Sequence, residues 1–228
     1  MNRNNESGNV LFLILIAVAL FAALSYAVTQ STRGGGNADN ETKQIQIAQV
    51  VQHISEIRTA LSRLMIINGC DNTDISFENA NWSNGNYDHT PAASVDCQIY
   101  HPDGGGVAFR KIDTSLLHNS KSALSTYGQF AFSGGIWIYE ADDNNPDLTM
   151  MLPHLTEEAC LAIQENLNIS GSYLTIGNDW LGFINASNMA FDGDYATQFS
   201  LSTRRKESCL QLGGSDENYL FFVVLIDN

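Results

Sequence analysis

The strongest feature of the chain is a run of apolar positions near its amino terminus. From Val10 to Val28 nearly every side chain is apolar, and no polar face recurs at helical spacing. About 20 consecutive apolar residues are enough for a helix to cross a hydrocarbon core of about 30 Å. The pattern predicts a transmembrane helix over residues 9–30, with the anchoring side chains Val10, Leu11, Phe12, Leu13, Ile14, Leu15, Ile16, Leu20, Phe21 and Val28.

A second helical pattern follows a glycine-rich break. Gly34 to Gly36 favour a hinge, placed over residues 31–40, because glycine loses more backbone entropy in a helix than other residues do. The pattern beyond it predicts an amphipathic helix that begins at an N-cap, Asp39 or Asn40, and stops at Gly69. Its apolar positions recur at spacings of three and four and are Ile47, Val50, Val51, Ile54, Ile57, Leu61, Leu64 and Met65.

The remaining positions predict an irregular connection and then a sheet. Residues 71–103 are rich in Asn, Asp, Ser and Pro, which is typical of a long loop. Thr156 has the position of an N-cap for a short helix that ends near Leu167. Short apolar or alternating runs predict antiparallel strands over 106–111, 135–140, 148–152, 172–176, 198–203 and 219–227, the last of them buried and central.

The negative net charge of the chain argues against some classes of binding partner. There are 11 Lys and Arg against 25 Asp and Glu, a formal net charge of -14 at pH 7, and no basic cluster longer than Arg204-Arg205-Lys206. Such a surface offers little positive field to a phosphate backbone, so we expect no nucleic-acid partner. Because an acidic surface also repels anionic lipid headgroups, any attachment to a membrane is expected to come from the apolar stretch.

The cysteines form an even set without a C-x-x-C pair, which argues against a zinc ribbon or a redox motif. In an exported domain they predict two disulfides, and four cysteines allow three connectivities. We favour Cys70 with Cys97 and Cys160 with Cys209, because each pair then closes its own loop without entangling the other. Four buried thiols are the alternative in a cytosolic protein.

Motifs for catalysis and cofactor binding are absent from the sequence. There is no G-x-S-x-G elbow, and Gly104 to Gly106 lack the Lys-Ser/Thr of a phosphate-binding loop. Acidic turns at 142–147 and 192–194 offer oxygen atoms to a calcium ion, although turn-forming Asp and Asn explain both. We therefore expect no catalytic residue, no cofactor, no metal and no enzymatic activity. Surface or loop positions are expected for the histidines, which lack zinc-site spacing: His53, His89, His101, His118 and His154.

The apolar stretch has a second interpretation as a cleavable secretory signal. Ser25-Tyr26-Ala27 resembles the small-residue triplet that precedes a signal peptidase cut, and cleavage after Ala27 releases a binding domain that begins at Val28. Against this interpretation, the leader contains one Arg and one Glu, whereas secretory signals begin with a basic segment. The apolar run is also longer than the roughly 7 to 15 residues that are usual in such signals.

The order of these features resembles the type IV pilin and pseudopilin family: a polar leader ending in glycine, an apolar helix, an amphipathic continuation and a β-rich domain with cysteines. Residues 148–163, LTMMLPHLTEEACLAI, are similar to the strand and helix before the C-terminal disulfide loop of type IVb pilins. The resemblance implies cleavage by a prepilin peptidase after Gly8 and methylation of Asn9. Family members usually carry a glutamate five residues after the cleaved glycine, where this chain has Leu13.

The resemblance implies an α+β fold in which an N-terminal apolar transmembrane helix continues through a glycine-rich hinge into an amphipathic helix packed on an antiparallel β-sheet. Residues 1–8 are then the leader and 41–228 the exoplasmic domain. It also implies a structural subunit of a type IV pilus or type II secretion pseudopilus. Its partners are the bacterial inner membrane, the prepilin peptidase and other pilin-like subunits, and the domain faces the periplasm or forms part of an extracellular filament.

Overall fold

Two long helices occupy the first part of the chain. Helix α1 spans Ser7–Ser31 and helix α2 spans Gly35–Ile66. The chain divides into two compact units, Met1–Gln44 and Ile45–Asn228. The structure, a computed structural model, describes residues 7–31, 35–79, 87, 89, 92–138, 146–177, 191, 193, 199–201, 205–213 and 218–227.

The predicted transmembrane helix over 9–30 is wrong. In the described part of the chain, no helix combines the length and the apolar content needed to cross a membrane. A helix needs about 20 consecutive, predominantly apolar residues to cross the hydrocarbon core of about 30 Å, because each residue advances the helix by only about 1.5 Å. The residues from Val10 to Val28 that were predicted as anchors lie in α1.

Helix α2 begins earlier than the sequence predicts. Gly35 and Gly36 are helical, so the predicted N-cap at Asp39 or Asn40 is wrong and the second half of the expected hinge is helix. Glycine in a helix costs about 1 kcal/mol relative to alanine, but each residue added to an existing helix also contributes one backbone hydrogen bond. The far end agrees with the prediction, because α2 ends at Ile66 and Gly69 follows with a φ of 70°.

A six-stranded sheet with the order β3-β5-β6-β2-β1-β4 forms the centre of the domain. The pairs β1–β2, β2–β6 and β5–β6 are antiparallel, whereas β1–β4 and β3–β5 are parallel. The sheet is therefore mixed, and the predicted antiparallel sheet is wrong. Parallel neighbours require a crossover connection, which strand periodicity does not reveal. The strands are β1 Ala131–Ile138, β2 Asp147–Leu155, β3 Leu174–Ile176, β4 Phe199–Leu201, β5 Glu207–Leu212 and β6 Tyr219–Ile226.

The sequence predicted the strongly apolar strand β6 correctly but missed β5, which contains polar residues. Strand β6 lies between β5 and β2 and is buried from Tyr219 to Val224, which confirms the predicted central strand. The run at 106–111 is not a strand. Strand β5 was missed because two of its buried positions, Ser208 and Gln211, are polar and interrupt the apolar pattern.

The core joins α2 to one face of the sheet. The buried side of α2, from Ile47 to Leu64, belongs to one apolar cluster with Phe221 and Val223 of β6. The neighbouring residues Leu220 and Phe222 belong to a second cluster, because successive side chains of a strand point to opposite faces. Both faces of β6 are therefore buried, which explains its continuous apolar sequence.

Helix α3 spans Glu157–Asn166 and packs on β5 and β6. The Thr156 hydroxyl accepts a hydrogen bond from the Ala159 amide at 3.2 Å, which confirms the predicted N-cap. The buried Gln164 side chain connects the helix to the sheet, since its Oε1 accepts from the Cys209 amide at 2.9 Å. These bonds satisfy polar groups that would otherwise be costly to bury.

Two disulfides brace the domain. Cys70–Cys97 joins the end of α2 to the short turn Val95–Cys97, and Cys160–Cys209 joins α3 to β5, with Cα atoms 5.9 and 5.6 Å apart. This is the pairing that the non-crossing argument favoured. Because structural disulfides persist in oxidising compartments, the domain belongs in an extracytoplasmic environment.

Candidate functional site

Helix α1 exposes apolar side chains over the part of it whose side chains are described, from Phe12 to Tyr26. Every described side chain from Phe12 to Tyr26 is exposed, and the exposed fraction of the large apolar ones ranges from 39% at Ile16 to 76% at Phe21. Since successive residues are rotated by about 100° around a helix, these positions cover all of its sides. A contiguous apolar surface of this extent marks an interaction site. Helix α1 is therefore the first candidate functional element.

The residues expected to be processed lie at the start of α1. Gly8 and Asn9 are in the first turn of the helix. Cleavage and methylation there stay predictions from the family resemblance. Leu13, at the position where family members carry a glutamate, is 59% exposed.

Three histidines are buried, so the expected surface position is wrong for His53, His89 and His154. The His53 ring packs against Phe130, with ring centroids 4.7 Å apart, and its Nδ1 lies 3.6 Å from a Glu56 carboxylate oxygen. Burial lowers the pKa of His53. A sequence signal was present, because His53 follows Val50 by three residues and therefore shares the apolar face of α2.

His154 forms a buried pair with Thr126. Its Nε2 lies 2.7 Å from the Thr126 hydroxyl, and its backbone has a φ of 64°, a conformation uncommon outside glycine. Burial, and to a smaller extent the nearby Lys121 charge, together lower the pKa of His154 to about 4. Both side chains of the pair are at most 3% exposed, so the pair is closed to a substrate and stabilises the packing around β2.

The structure offers no support for a metal centre in the part of the chain that it describes. Among those residues, no group of three or more His, Cys, Asp or Glu side chains is placed to hold a metal ion. Asp147, from the first acidic turn, is buried in β2. Most of the two turns proposed for calcium, 142–147 and 192–194, lies outside the described residues.

A surface groove of about 480 Å³ lies between α2 and the segment that follows the three glycines. One wall is formed by α2 and the other by the segment from Gly105 to Arg110. The lining side of α2 consists of Gln52, Ser55, Glu56, Thr59, Ala60 and Arg63. The α2 wall is therefore mainly polar, whereas the opposite wall consists of glycine and apolar residues apart from Arg110.

Each end of the groove carries a guanidinium group. Arg63 donates a hydrogen bond to the Gly104 carbonyl. At the other end Arg110 donates to Glu56 Oε1 at 3.2 Å, and the same oxygen accepts from Gln52 Nε2 at 2.8 Å. Glu56 and Arg63 are about two helical turns apart, so the two ends are separated by about 10 Å. The lining has one more positive than negative charge, in a chain with a net charge of -14.

The second wall of the groove depends on glycine. A Cβ atom on Gly104 or Gly105 would lie 2.3 Å from the carbonyl oxygen of Gln98 or Ile99, respectively, and Gly106 has a φ of 67°. The glycines thus allow the chain to pass close to its own backbone. The sequence did not indicate the groove, because its two walls are separated by 41 residues at the Arg63 contact and 54 at the Arg110 contact.

These observations define the class of protein as a disulfide-braced, extracytoplasmic α+β domain with a mixed sheet, preceded in the chain by an exposed apolar helix. No protein-family model, curated protein or solved structure matches the chain. The resemblance to pilins therefore rests on the sequence features described above.

Proposed function

We propose that the protein is a structural, non-enzymatic subunit of a pilin-like extracytoplasmic filament, of the type IV pilus or secretion pseudopilus kind. In this proposal α1 helices of neighbouring copies pack against one another, and the disulfide-braced domains lie on the outside, in the periplasm or the medium. The observation that carries the proposal is the exposed apolar surface of α1. A helix that is apolar all round is stable only when it is surrounded by other apolar groups.

The energetics favour association through α1. Burying a large apolar side chain contributes about 1.5 to 3 kcal/mol, and the described side chains of α1 include ten large exposed ones of apolar or aromatic character. Even partial burial of this set offsets the several kcal/mol of translational and rotational freedom lost on association. Packing on every side, rather than on one stripe, favours a multi-helix core over a dimer.

A charge placed on α1 is expected to prevent assembly. Among the described side chains of α1, Phe21 is the most exposed large one, and Phe21→Asp replaces apolar contact with a carboxylate that must be desolvated. We expect association to weaken by about 100-fold, equivalent to about 2.8 kcal/mol. Sedimentation velocity of the full chain, after dilution from mild detergent, measures the effect, and electron microscopy shows whether filaments form.

The matched control is Gln49→Asp, which adds the same charge at an exposed position of α2. It should assemble like the unmodified chain. Because residues from Ile45 onwards form a separate compact unit, Phe21→Asp should leave the thermal unfolding of the domain unchanged. Gln49→Asp lies within that unit but at an exposed position, so its effect on unfolding should be within about 0.5 kcal/mol. Equal assembly of Phe21→Asp and the unmodified chain would rule out packing through α1.

Processing provides a second test, because it separates pilin-like subunits from secreted domains. Mass spectrometry of the protein isolated from its own host is expected to show an amino terminus at Asn9 that carries an added methyl group. A chain beginning at Val28 would instead identify a secreted domain cut after Ala27. An intact Met1 would contradict cleavage by a prepilin peptidase.

A further inference from the structure

One wall of the groove is a segment without regular secondary structure, part of whose backbone has no backbone partner among the described residues. Residues 106–113 contain no helix, turn or bend. Within the described part of the chain, the backbone N–H and C=O groups from Ala108 to Lys111 make no hydrogen bond to another backbone group. A row of unpaired backbone groups at a surface is a template for pairing with another strand.

The segment is held in place at both of its ends. The Val107 amide donates to the Ile99 carbonyl at 3.1 Å, and the Ile112 amide donates to the Gly128 carbonyl at 2.9 Å. The side chains of Val107 and Ile112 are buried, whereas Ala108 and Lys111 are exposed. Because the segment is fixed before any partner arrives, pairing with it does not require this wall to be ordered first.

The charges around the segment select the chemistry of the partner. Arg63 and Arg110 each present several N–H donors, of which Gly104 and Glu56 use some. Guanidinium groups bind carboxylates through charge-assisted hydrogen bonds. Glu56 is the single acidic residue among the residues that line the groove.

We propose that this groove binds an extended acidic peptide segment of a partner protein, which pairs with the backbone of residues 108–111 and places carboxylates near Arg63 and Arg110. Addition of a strand beside a helix is a known mode of peptide recognition, in which backbone pairing supplies affinity and side chains supply specificity. The proposal does not depend on filament assembly, because every group that it uses belongs to the unit Ile45–Asn228.

The test uses three fluorescein-labelled heptapeptides and the full chain in mild detergent. The first probe is Thr-Glu-Val-Glu-Val-Glu-Thr with an amidated end. The second has Lys in place of each Glu, and the third keeps the side chains of the first but is N-methylated at every Glu and Val residue, so that neither edge of the peptide can donate a backbone hydrogen bond there. Fluorescence anisotropy is expected to show that the second and third probes bind at least tenfold more weakly than the first, since each loses one of the two proposed contributions.

Variants of the protein locate the binding. Arg63→Gln and Arg110→Gln are each expected to weaken binding of the Glu peptide by about fivefold to tenfold. Arg58→Gln is the matched control, because Arg58 lies on the same helix but pairs with Glu207 at 2.6 Å and does not line the groove. It should leave the affinity unchanged. Amide hydrogen exchange at residues 108–111 should slow by at least tenfold when the Glu peptide is bound.

Several results would overturn the proposal. One is the absence of binding by the Glu peptide up to about 1 mM, which corresponds to less than about 4 kcal/mol of affinity. Equal binding of the N-methylated peptide would exclude backbone pairing, and equal loss in Arg58→Gln and the two groove variants would exclude this site. Circular dichroism of each variant shows whether a lost affinity reflects lost folding, and a variant that stays folded gives the decisive comparison.

Discussion

Replacing both Cys160 and Cys209 by alanine is expected to lower the free energy of unfolding by about 4 kcal/mol. The two residues are 49 positions apart, and a cross-link across a loop of that length restricts the unfolded chain by about this amount. Both cysteines are fully buried between α3 and β5, so the alanine variant also loses the packing of their sulfur atoms. Urea unfolding of the variant and of the oxidised protein measures the difference.

The companion variant lacks the other disulfide, with Cys70 and Cys97 both replaced by alanine. The sequence separation of this pair is 27, which predicts a smaller loss of about 3.5 kcal/mol. Reducing agent should destabilise the unmodified protein further than either variant, because each variant keeps one disulfide. A loss below about 1 kcal/mol for the Cys160 and Cys209 variant would show that this bridge does not brace the domain.

Acidification is expected to destabilise the domain through His154. Burial lowers the pKa of the folded side chain to about 4 from an ordinary value of 6.5, so the unfolded chain binds the proton first as the pH falls. Stability from the neutral ring is complete above about pH 6.5 and is lost progressively down to about pH 4. The difference between the two pKa values corresponds to a loss of about 3 kcal/mol in the free energy of unfolding. Urea unfolding at a series of pH values measures this slope.

His154→Asn separates titration of His154 from that of other groups. Asparagine tolerates a positive φ better than most residues and does not titrate in this range. The variant is expected to be less stable than the parent at pH 7, because it loses the geometry of the Thr126 contact, and its stability should fall much less between pH 6.5 and pH 4. His101→Asn, at a more exposed position, should keep the parental slope. An unchanged slope in His154→Asn would contradict the assignment.

The burial of His53 could have been predicted from hydrophobic periodicity, whereas that of His154 could not. His53 occupies the apolar face of α2, and the three- and four-residue spacing of its neighbours already contained that information. His154 lies in β2 with a positive φ, inside the register irregularity between Leu152 and Leu155 in the pairing with β6. Neither the backbone conformation nor the Thr126 partner, 28 residues away, has a local signal in the sequence.

Local patterns determined the elements that depend on short-range physics. The 3.6-residue period specified the buried face of α2, the Thr156 hydroxyl specified the start of α3, and a continuous apolar run specified the central strand β6. The apolar run from Val10 to Leu24 is likewise a property of the sequence alone. Cysteine order favoured the pairing that the structure contains, because loops that do not cross are easily closed independently.

Only the tertiary structure decided the features that require distant residues to meet. The sheet is mixed because β3 and β4 each pair with a parallel neighbour. The polar residues of β5 can be buried because Gln164 and Tyr219 form hydrogen bonds with them. The groove exists because Gly104 to Gly106 bring one segment beside α2, where Arg63 and Arg110 meet groups from elsewhere in the chain. Hydrophobic periodicity records which side of an element is buried, but not which element covers it.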